Sequence, residues 1–297
     1  MARVSMSKVP ERLPLGRDTI CWRVNAEPAV ITGGGRALLM QVAHPAVGAG
    51  VEQHSSYASD PWGRLFRTLD VMMKLGFGTP EQSARQQRML EKMHRHVEGT
   101  TDEGTPYRAL DPELLLWVWA TLVDSALLMY EQVRPRLRPV EREVFYAESK
   151  LVAHACGVPA DGCPATWSEF SAYVDRVVAN DLRVTPSARA VATAAMVPPL
   201  PGALADVAAV PNQLITVGLM PPSLREQYGY AWTPDQQVRL DRLLRTARRG
   251  AAVIPGPARR LPSQVTVRQS KPLHVGWLQR HGAKITARRL ASAGFDS

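Results

Sequence analysis

Proline and glycine divide this chain into segments of helical length, and little of it alternates polar and apolar residues with the period of a strand. The exception is the stretch 263–267. The pattern predicts an all-α fold with a single large helical domain, and 297 residues with 45% apolar content supply enough core for one. We expect an N-terminal extension at 1–17, the helical domain at 18–262, and a basic, loosely ordered tail at 263–297.

The boundaries of the predicted helices follow from capping residues, from proline in a first turn, and from glycine after a last turn. Asp60 is a candidate cap for the helix that begins at Pro61, and Gly99 closes the helix that begins at Glu81. The longest apolar run, 114–129, is interrupted by polar residues and is shorter than a bilayer span, which favours a buried helix. The predicted helices are 36–43, 46–53, 61–75, 81–97, one opening at 111–113, 139–155, 167–180, 186–195, 213–219 and 234–249.

The net charge of +9 is concentrated near the C-terminus. Residues 239–290 contain 13 Lys and Arg and a single acid, Asp241, so the rest of the chain carries a charge of about −3. The helical domain is therefore not a nucleic-acid-binding surface, although the tail has the charge for contacts with anionic surfaces. The N-terminus lacks the apolar core of a secretory signal, which predicts a cytoplasmic protein. The three cysteines lack zinc-site spacing, and nucleotide-binding and hydrolase motifs do not occur.

The histidines are the first candidates for chemistry. Successive helical residues differ by about 100°, so His94 and His96 point to opposite sides of an intact helix. His94 shares its side with Leu90 and Met93, which makes it the interior one. A neutral imidazole among apolar side chains is an adequate iron ligand, with or without haem, and a buried structural histidine is the alternative. The histidines before position 160 are His44, His54, His94, His96 and His154.

A second candidate group lies on the helix that precedes His94. Arg64, Arg67 and Thr68 are three and four residues apart, so their side chains project from one face. The simplest interpretation of the two arginines is a solvated basic stripe. The hydroxyl of Thr68 beside them favours a site that binds haem propionates or stabilises charge derived from oxygen.

The most apolar helix carries a polar stripe, formed by Trp117, Thr121, Asp124 and Ser125. Buried polar groups must be paired, so the stripe either meets another helix or lines a pocket, and Asp124 is a natural partner for one of the arginines. The small residues of 41–55 are suited either to close helix packing or to a flat cofactor.

Several of these segments resemble the superfamily of MpaB-type oxygenases and rubber oxygenases. The resemblance covers roughly residues 18–260. It rests on Ala37-Leu38-Leu39-Met40-Gln41-Val42-Ala43-His44-Pro45, Gly50-Val51-Glu52-Gln53-His54-Ser55, Asp60-Pro61-Trp62-Gly63-Arg64, the run from Met93-His94 to Gly99, the run from Tyr107 to Val118, Tyr146-Ala147-Glu148, and Leu219-Met220-Pro221-Pro222-Ser223-Leu224-Arg225.

The resemblance implies a helical fold with a globin-like core around haem b, and an oxygenase that uses dioxygen on an apolar, unsaturated, isoprenoid-like substrate by cleaving a C=C bond. It implies that His94 binds the haem iron, that Arg64, Arg67 and Thr68 lie on the distal side, and that Thr121 is a further pocket residue. Arg67 replaces a lysine that can bind iron in rubber oxygenases. A guanidinium offers no lone pair, so the sixth iron position is expected to be open or to hold water. Glu91 replaces an arginine on the proximal side.

Two alternatives come from the same residues. One is a non-haem metal oxidoreductase whose ligands are His44, His54 and a carboxylate such as Glu52 or Glu148. The other is a non-enzymatic helical protein whose basic tail binds nucleic acid or anionic lipid.

Overall fold

The computed structural model describes residues 12–55, 61–196 and 203–269, and within these ranges the protein is almost entirely helical. The predicted all-α fold is confirmed. The first helices are α1 Ile20–Asn25, a 3-10 helix Pro28–Gly33, α2 Gly34–Val42, α3 Pro45–His54, α4 Pro61–Phe77 and α5 Pro80–His94. A hairpin of β1 Glu98–Thr100 and β2 Pro106–Arg108 follows. The remaining helices are α6 Pro112–Val133, α7 Pro139–Ala155, α8 Trp167–Asn180, α9 Pro186–Ala195, α10 Ala203–Gly218, α11 Pro222–Tyr228, α12 Pro234–Val253, α13 Gly256–Arg259 and α14 Leu261–Arg268.

Threonine and proline define several helix starts. Thr79 and Thr233 each accept a hydrogen bond from the backbone N–H three residues later and are followed by proline, so that α5 and α12 begin with a capping box. Thr166 and Thr185 cap α8 and α9 in the same way through their hydroxyls. The predicted cap Asp60 lies outside the described residues.

Helix α6 is the central helix of the core and packs against α2, the 3-10 helix, α12 and α1. Its length and apolar composition would suffice to cross a membrane, but 67% of its most apolar stretch is buried inside the fold. The largest side chains that α6 buries are those of Trp117 and Trp119, which are 1% and 2% exposed. These features are those of a core helix.

The predicted strand at 263–267 is wrong, because these residues belong to α14. Thr266 and Val267 are adjacent in sequence, and both are buried. A helix packed on α4 can bury two adjacent side chains, whereas successive side chains of a strand point to opposite faces. The packing therefore overrides the β-branched composition. The predicted loose tail from 263 is helical as far as Arg268, and its remainder, residues 270–297, lies outside the described residues, as does the connector 197–202.

Helix α5 ends at His94, earlier than predicted, and Gly99 is not its C-terminal cap. Gly99 lies in β1 opposite Tyr107, where α3 approaches the hairpin. A Cβ atom at Gly99 would lie 2.4 Å from Oε1 of Gln53 and 3.0 Å from the Tyr107 hydroxyl oxygen. A side chain at this position would have to displace the end of the Gln53 side chain.

Candidate functional site

The candidate site lies where α5 packs against α4. His94, the last residue of α5, is half-buried, whereas His96 is exposed. The Nδ1 atom of His94 is buried and has no hydrogen-bond partner among the described residues. Burial lowers the pKa of His94 below its usual range, so the ring is neutral at pH 7 and has a free lone pair. These are the properties that a metal ligand requires.

Gln86 is a member of this site that the sequence analysis missed. Its Oε1 atom is also buried without a hydrogen-bond partner among the described residues. Gln86, Leu90 and His94 are spaced four residues apart, so they lie along one face of α5. That spacing was the available signal, because it places a polar amide in line with the interior histidine. Two buried polar atoms without partners on one helical face are uncommon, and a bound group could supply the missing partners.

Helix α4 contributes the predicted basic face, but its three residues differ in exposure. Arg64 is half-buried, and its pKa is lowered first by burial and second by the nearby charge of Arg67. Arg67 and Thr68 are exposed. The Thr68 hydroxyl donates a hydrogen bond to the Arg64 carbonyl oxygen at 2.9 Å, within its own helix. Arg64 is therefore the partly desolvated cation of the three.

Thr121 is fully buried and joins α6 to α2. Its hydroxyl accepts a hydrogen bond from Nε2 of Gln41 at 2.9 Å and donates one to the Val118 carbonyl oxygen at 2.8 Å. The Nε1–H of Trp117 donates to the Met40 carbonyl oxygen at 3.3 Å. The polar stripe of α6 thus meets another helix. Thr121 as a residue of the cofactor pocket stays a prediction.

Asp124, in the same stripe, pairs with Arg36 of α2 at 2.7 Å. Nη1 of Arg36 also donates to the Ser125 hydroxyl at 2.6 Å, and its Nε donates to the Leu219 carbonyl oxygen at 2.7 Å. Arg36 is 6% exposed, and these contacts satisfy its charge inside the fold. The arginine that partners Asp124 thus comes from α2 and not from the basic face of α4.

The structure does not bring together the two histidines of the non-haem metal alternative. His44 immediately precedes α3 and His54 ends it, and ten residues of helix separate their Cα atoms by about 15 Å. His54 is exposed, and its Nε2 lies 3.0 Å from the Glu98 carbonyl oxygen. Within the described ranges no three His, Cys, Asp or Glu side chains form a group that could hold a metal ion.

Glu148, the other carboxylate of that alternative, has a structural role. It is 2% exposed, and its Oε2 accepts the Cys21 N–H at 2.6 Å, with a further hydrogen bond from the Ile20 backbone. Glu148 of α7 thereby caps the first turn of α1. Burial raises its pKa to about 7, although the two backbone hydrogen bonds oppose that rise.

His44 lies at a different place, in a cleft of about 760 Å³ whose lining includes no residue of α4 or α5. Its Nδ1 is buried without a hydrogen-bond partner among the described residues. Burial lowers the pKa of His44, and the charges of Asp181 and Glu113 oppose that shift. Glu113, Trp117, Cys163, Tyr173, Arg176 and Asp181 are among the lining residues. The cleft is therefore separate from the face that carries His94.

Comparison with known proteins gives three findings. A sequence model of the family described as "ER-bound oxygenase mpaB/B'/Rubber oxygenase, catalytic domain" matches residues 22–249. The uncharacterized proteins Mb2261 of Mycobacterium bovis and Rv2237 of Mycobacterium tuberculosis are each 28% identical to this chain over 225 residues, covering 73% of this chain and 87% of each relative. A solved structure of latex clearing protein LCP in the closed state superposes with a TM-score of 0.54 at 17% identity, covering 93% of this chain and 76% of that chain. At that identity the likeness shows the fold.

Proposed function

Because the chain belongs to the family of mpaB and rubber oxygenase catalytic domains, and is thus an oxidoreductase of the oxygenase class, we propose that it is a haem-b-dependent oxygenase. We further propose that its substrate is an apolar, unsaturated molecule of isoprenoid type, which it cleaves at a C=C bond. The observation that carries the haem assignment is the neutral, half-buried imidazole of His94 with an unpaired buried nitrogen. The fold class of the domain agrees with this assignment.

The residues at the place where α5 packs against α4 fit a haem. His94 offers one ring nitrogen to iron, while the other ring nitrogen carries the proton. The amide oxygen of Gln86 is an unsatisfied acceptor on the same face of α5. Arg64 is a partly desolvated cation on the neighbouring helix and is suited to a propionate. Leu90, partly buried against the core, supplies apolar contact between the two polar residues of α5.

In this proposal the protein contributes ligation, orientation and a dry site, and haem iron supplies the activation of dioxygen when it is bound. The low pKa of His94 keeps its ligating nitrogen unprotonated at neutral pH. Arg64 keeps its proton and offers only donors, so it can stabilise negative charge but cannot act as a base. Cleavage of one C=C bond by one O₂ yields two carbonyl groups and balances without an external reductant. The proposed reaction therefore needs no electron-donor protein.

The proposal is tested by haem reconstitution and absorption spectroscopy of the wild type, His94→Ala and His96→Ala. We expect a Soret band for the wild type, loss of that band in His94→Ala, and retention in His96→Ala, because His96 is exposed two residues away on the same segment. Circular dichroism shows whether His94→Ala remains folded. A wild type that binds no haem would refute the haem assignment, and haem retention by folded His94→Ala would move the ligand elsewhere.

The proposed reaction, cleavage of a C=C bond by dioxygen, is tested by a separate assay. The haem-loaded protein is reduced once to the ferrous state, freed of excess reductant and incubated with an unsaturated isoprenoid in ¹⁸O₂, and carbonyl products are analysed by mass spectrometry. We expect label in both carbonyl groups. Consumption of one NADH for each C=C bond cleaved would exclude cleavage of this kind.

A further inference from the structure

The C-terminal corner of the described fold, residues 249–268, exposes aliphatic side chains. Val253 is 83% exposed, and Ile254, Leu261 and Val265 are 48%, 57% and 45% exposed. Val253 is the most exposed large hydrophobic residue within the described ranges. Scattered exposed apolar residues are common, but here four occur within 13 residues of sequence, from the end of α12 to α14, and we call this group the apolar corner.

The charges that α12, α13 and α14 carry after Asp241 have a single sign. No Asp or Glu occurs between Asp241 and Asp296 in the sequence. Arg245 and Arg249 precede Val253 by eight and four residues on α12, so the three lie close to one helical face. Both arginines are exposed, as is Arg268 at the end of α14. Within the described residues that follow Asp241, the apolar side chains thus have arginines and no acidic residue as neighbours in the sequence.

The corner is held in place from inside. The Nε atom of Arg259 in α13 lies 2.8 and 2.9 Å from the two carboxylate oxygens of buried Glu27. Its Nη1 donates to the carbonyl oxygens of Ala251 and Ile254, at 2.8 and 2.6 Å. The backbone that presents Val253 is therefore ordered before any partner arrives, which lowers the entropy cost of binding.

We propose that this corner docks the protein on an anionic lipid bilayer. Exposed aliphatic side chains enter the boundary between headgroups and acyl chains, and the arginines bind lipid phosphates. A nucleic acid would use the arginines but would leave the aliphatic side chains in water, so it fits the surface less well. The proposal goes beyond the proposed oxygenase activity, and because no step involves haem, its failure and the failure of the haem assignment are separate results.

The test is flotation of the full chain with vesicles of phosphatidylcholine alone and with 30 mol% phosphatidylglycerol. We expect binding to the anionic vesicles, loss of binding in high salt, and little binding to phosphatidylcholine alone. Val253→Ser with Ile254→Ser should weaken binding by about tenfold or more, since it removes apolar area that would enter the membrane. Arg245→Gln with Arg249→Gln should also weaken binding to anionic vesicles.

The matched control is Val238→Ser, because Val238 is 50% exposed on the same helix but about 22 Å from Val253 along its axis. It should bind vesicles like the wild type. A second full-length variant distinguishes binding by the corner from binding by the basic segment that follows it. In this variant five residues are changed to Gln: Lys271, Arg280, Lys284, Arg288 and Arg289. Binding lost in that variant but unchanged in Val253→Ser/Ile254→Ser would overturn the proposal. So would a wild-type dimer in solution that the same double substitution converts to a monomer.

Discussion

Glu148 should make the stability of the protein fall as the pH rises through neutrality. Its pKa is about 7 in the folded protein, against an ordinary value of 4.5. Between pH 4.5 and pH 7 the carboxyl group of Glu148 is protonated in the folded protein and ionised in the unfolded chain. Its contribution to stability is therefore complete below pH 4.5 and is lost as the pH rises through 7. A difference of 2.5 pKa units corresponds to a loss of about 3 kcal/mol in the free energy of unfolding.

Other groups titrate in neighbouring pH ranges, and their effect on the pH dependence of stability has the opposite sign. The pKa values of His44 and His94 are lowered by burial, so their contributions are present above about pH 6.5 and are lost as the pH falls. The pKa of Glu141 is about 2, because hydrogen bonds from Arg23 and Arg138 outweigh its burial, and its contribution is lost only in acid. The net curve of the wild type therefore conceals the effect of Glu148, and a comparison with a variant is needed.

The assay is urea unfolding of wild type and Glu148→Gln between pH 5 and 8, followed by tryptophan fluorescence without haem. Glutamine is neutral at every pH and can still accept a backbone hydrogen bond, so the histidine contributions cancel in the difference between the proteins. The wild type should lose about 2.5 kcal/mol relative to Glu148→Gln across this range, a change of roughly 1 M in the difference between urea midpoints. Parallel pH dependences would refute the assignment of a raised pKa to Glu148.

Three further predictions concern single substitutions. Arg67→Lys supplies an amine with a lone pair, so the ferric haem spectrum should change from high-spin to partly low-spin; an unchanged spectrum would place position 67 away from the iron. Thr121→Val removes the shorter of the two hydrogen bonds that Nε2 of Gln41 donates and leaves the one to the Val118 carbonyl oxygen at 3.3 Å, so it should lower the free energy of unfolding by about 1 kcal/mol, measured by urea titration; equal stability would mean that the remaining hydrogen bond satisfies the amide. Gly99→Ala should cost about 1–3 kcal/mol, measured the same way, because its Cβ would overlap Gln53 where α3 meets the hairpin; a smaller cost would show that Gln53 moves aside.

Most helices could be predicted because their signals are local. Pro139–Ala155 and Trp167–Asn180 have the predicted bounds, since proline or a threonine cap fixes the start of each. The short helix α14 could not be predicted, because its packing on α4 depends on residues far away in the sequence. The position of Gly99 is a similar case, since the local sequence resembles a helix end and the contact with Gln53 is non-local.

The candidate site was predictable only in part. The helical period singles out His94 over His96, and it could also have found Gln86, which lies two turns earlier on the same face. The helical period does not predict whether a polar stripe packs against another helix or lines a cavity. For Thr121 the deciding partner is Gln41, 80 residues away, so the outcome needed the tertiary structure.

The ion pair between Glu27 and Arg259 also limits how far the chain can be truncated at either end. It joins residues 232 positions apart, near the two ends of the described fold, and its side chains are 2% and 7% exposed. A chain cut before α13 would keep the carboxylate of Glu27 inside the protein with its cation removed, at a cost of about 3–5 kcal/mol. The first and last helical segments are therefore one thermodynamic unit, and neither end can be shortened past this pair without weakening the other.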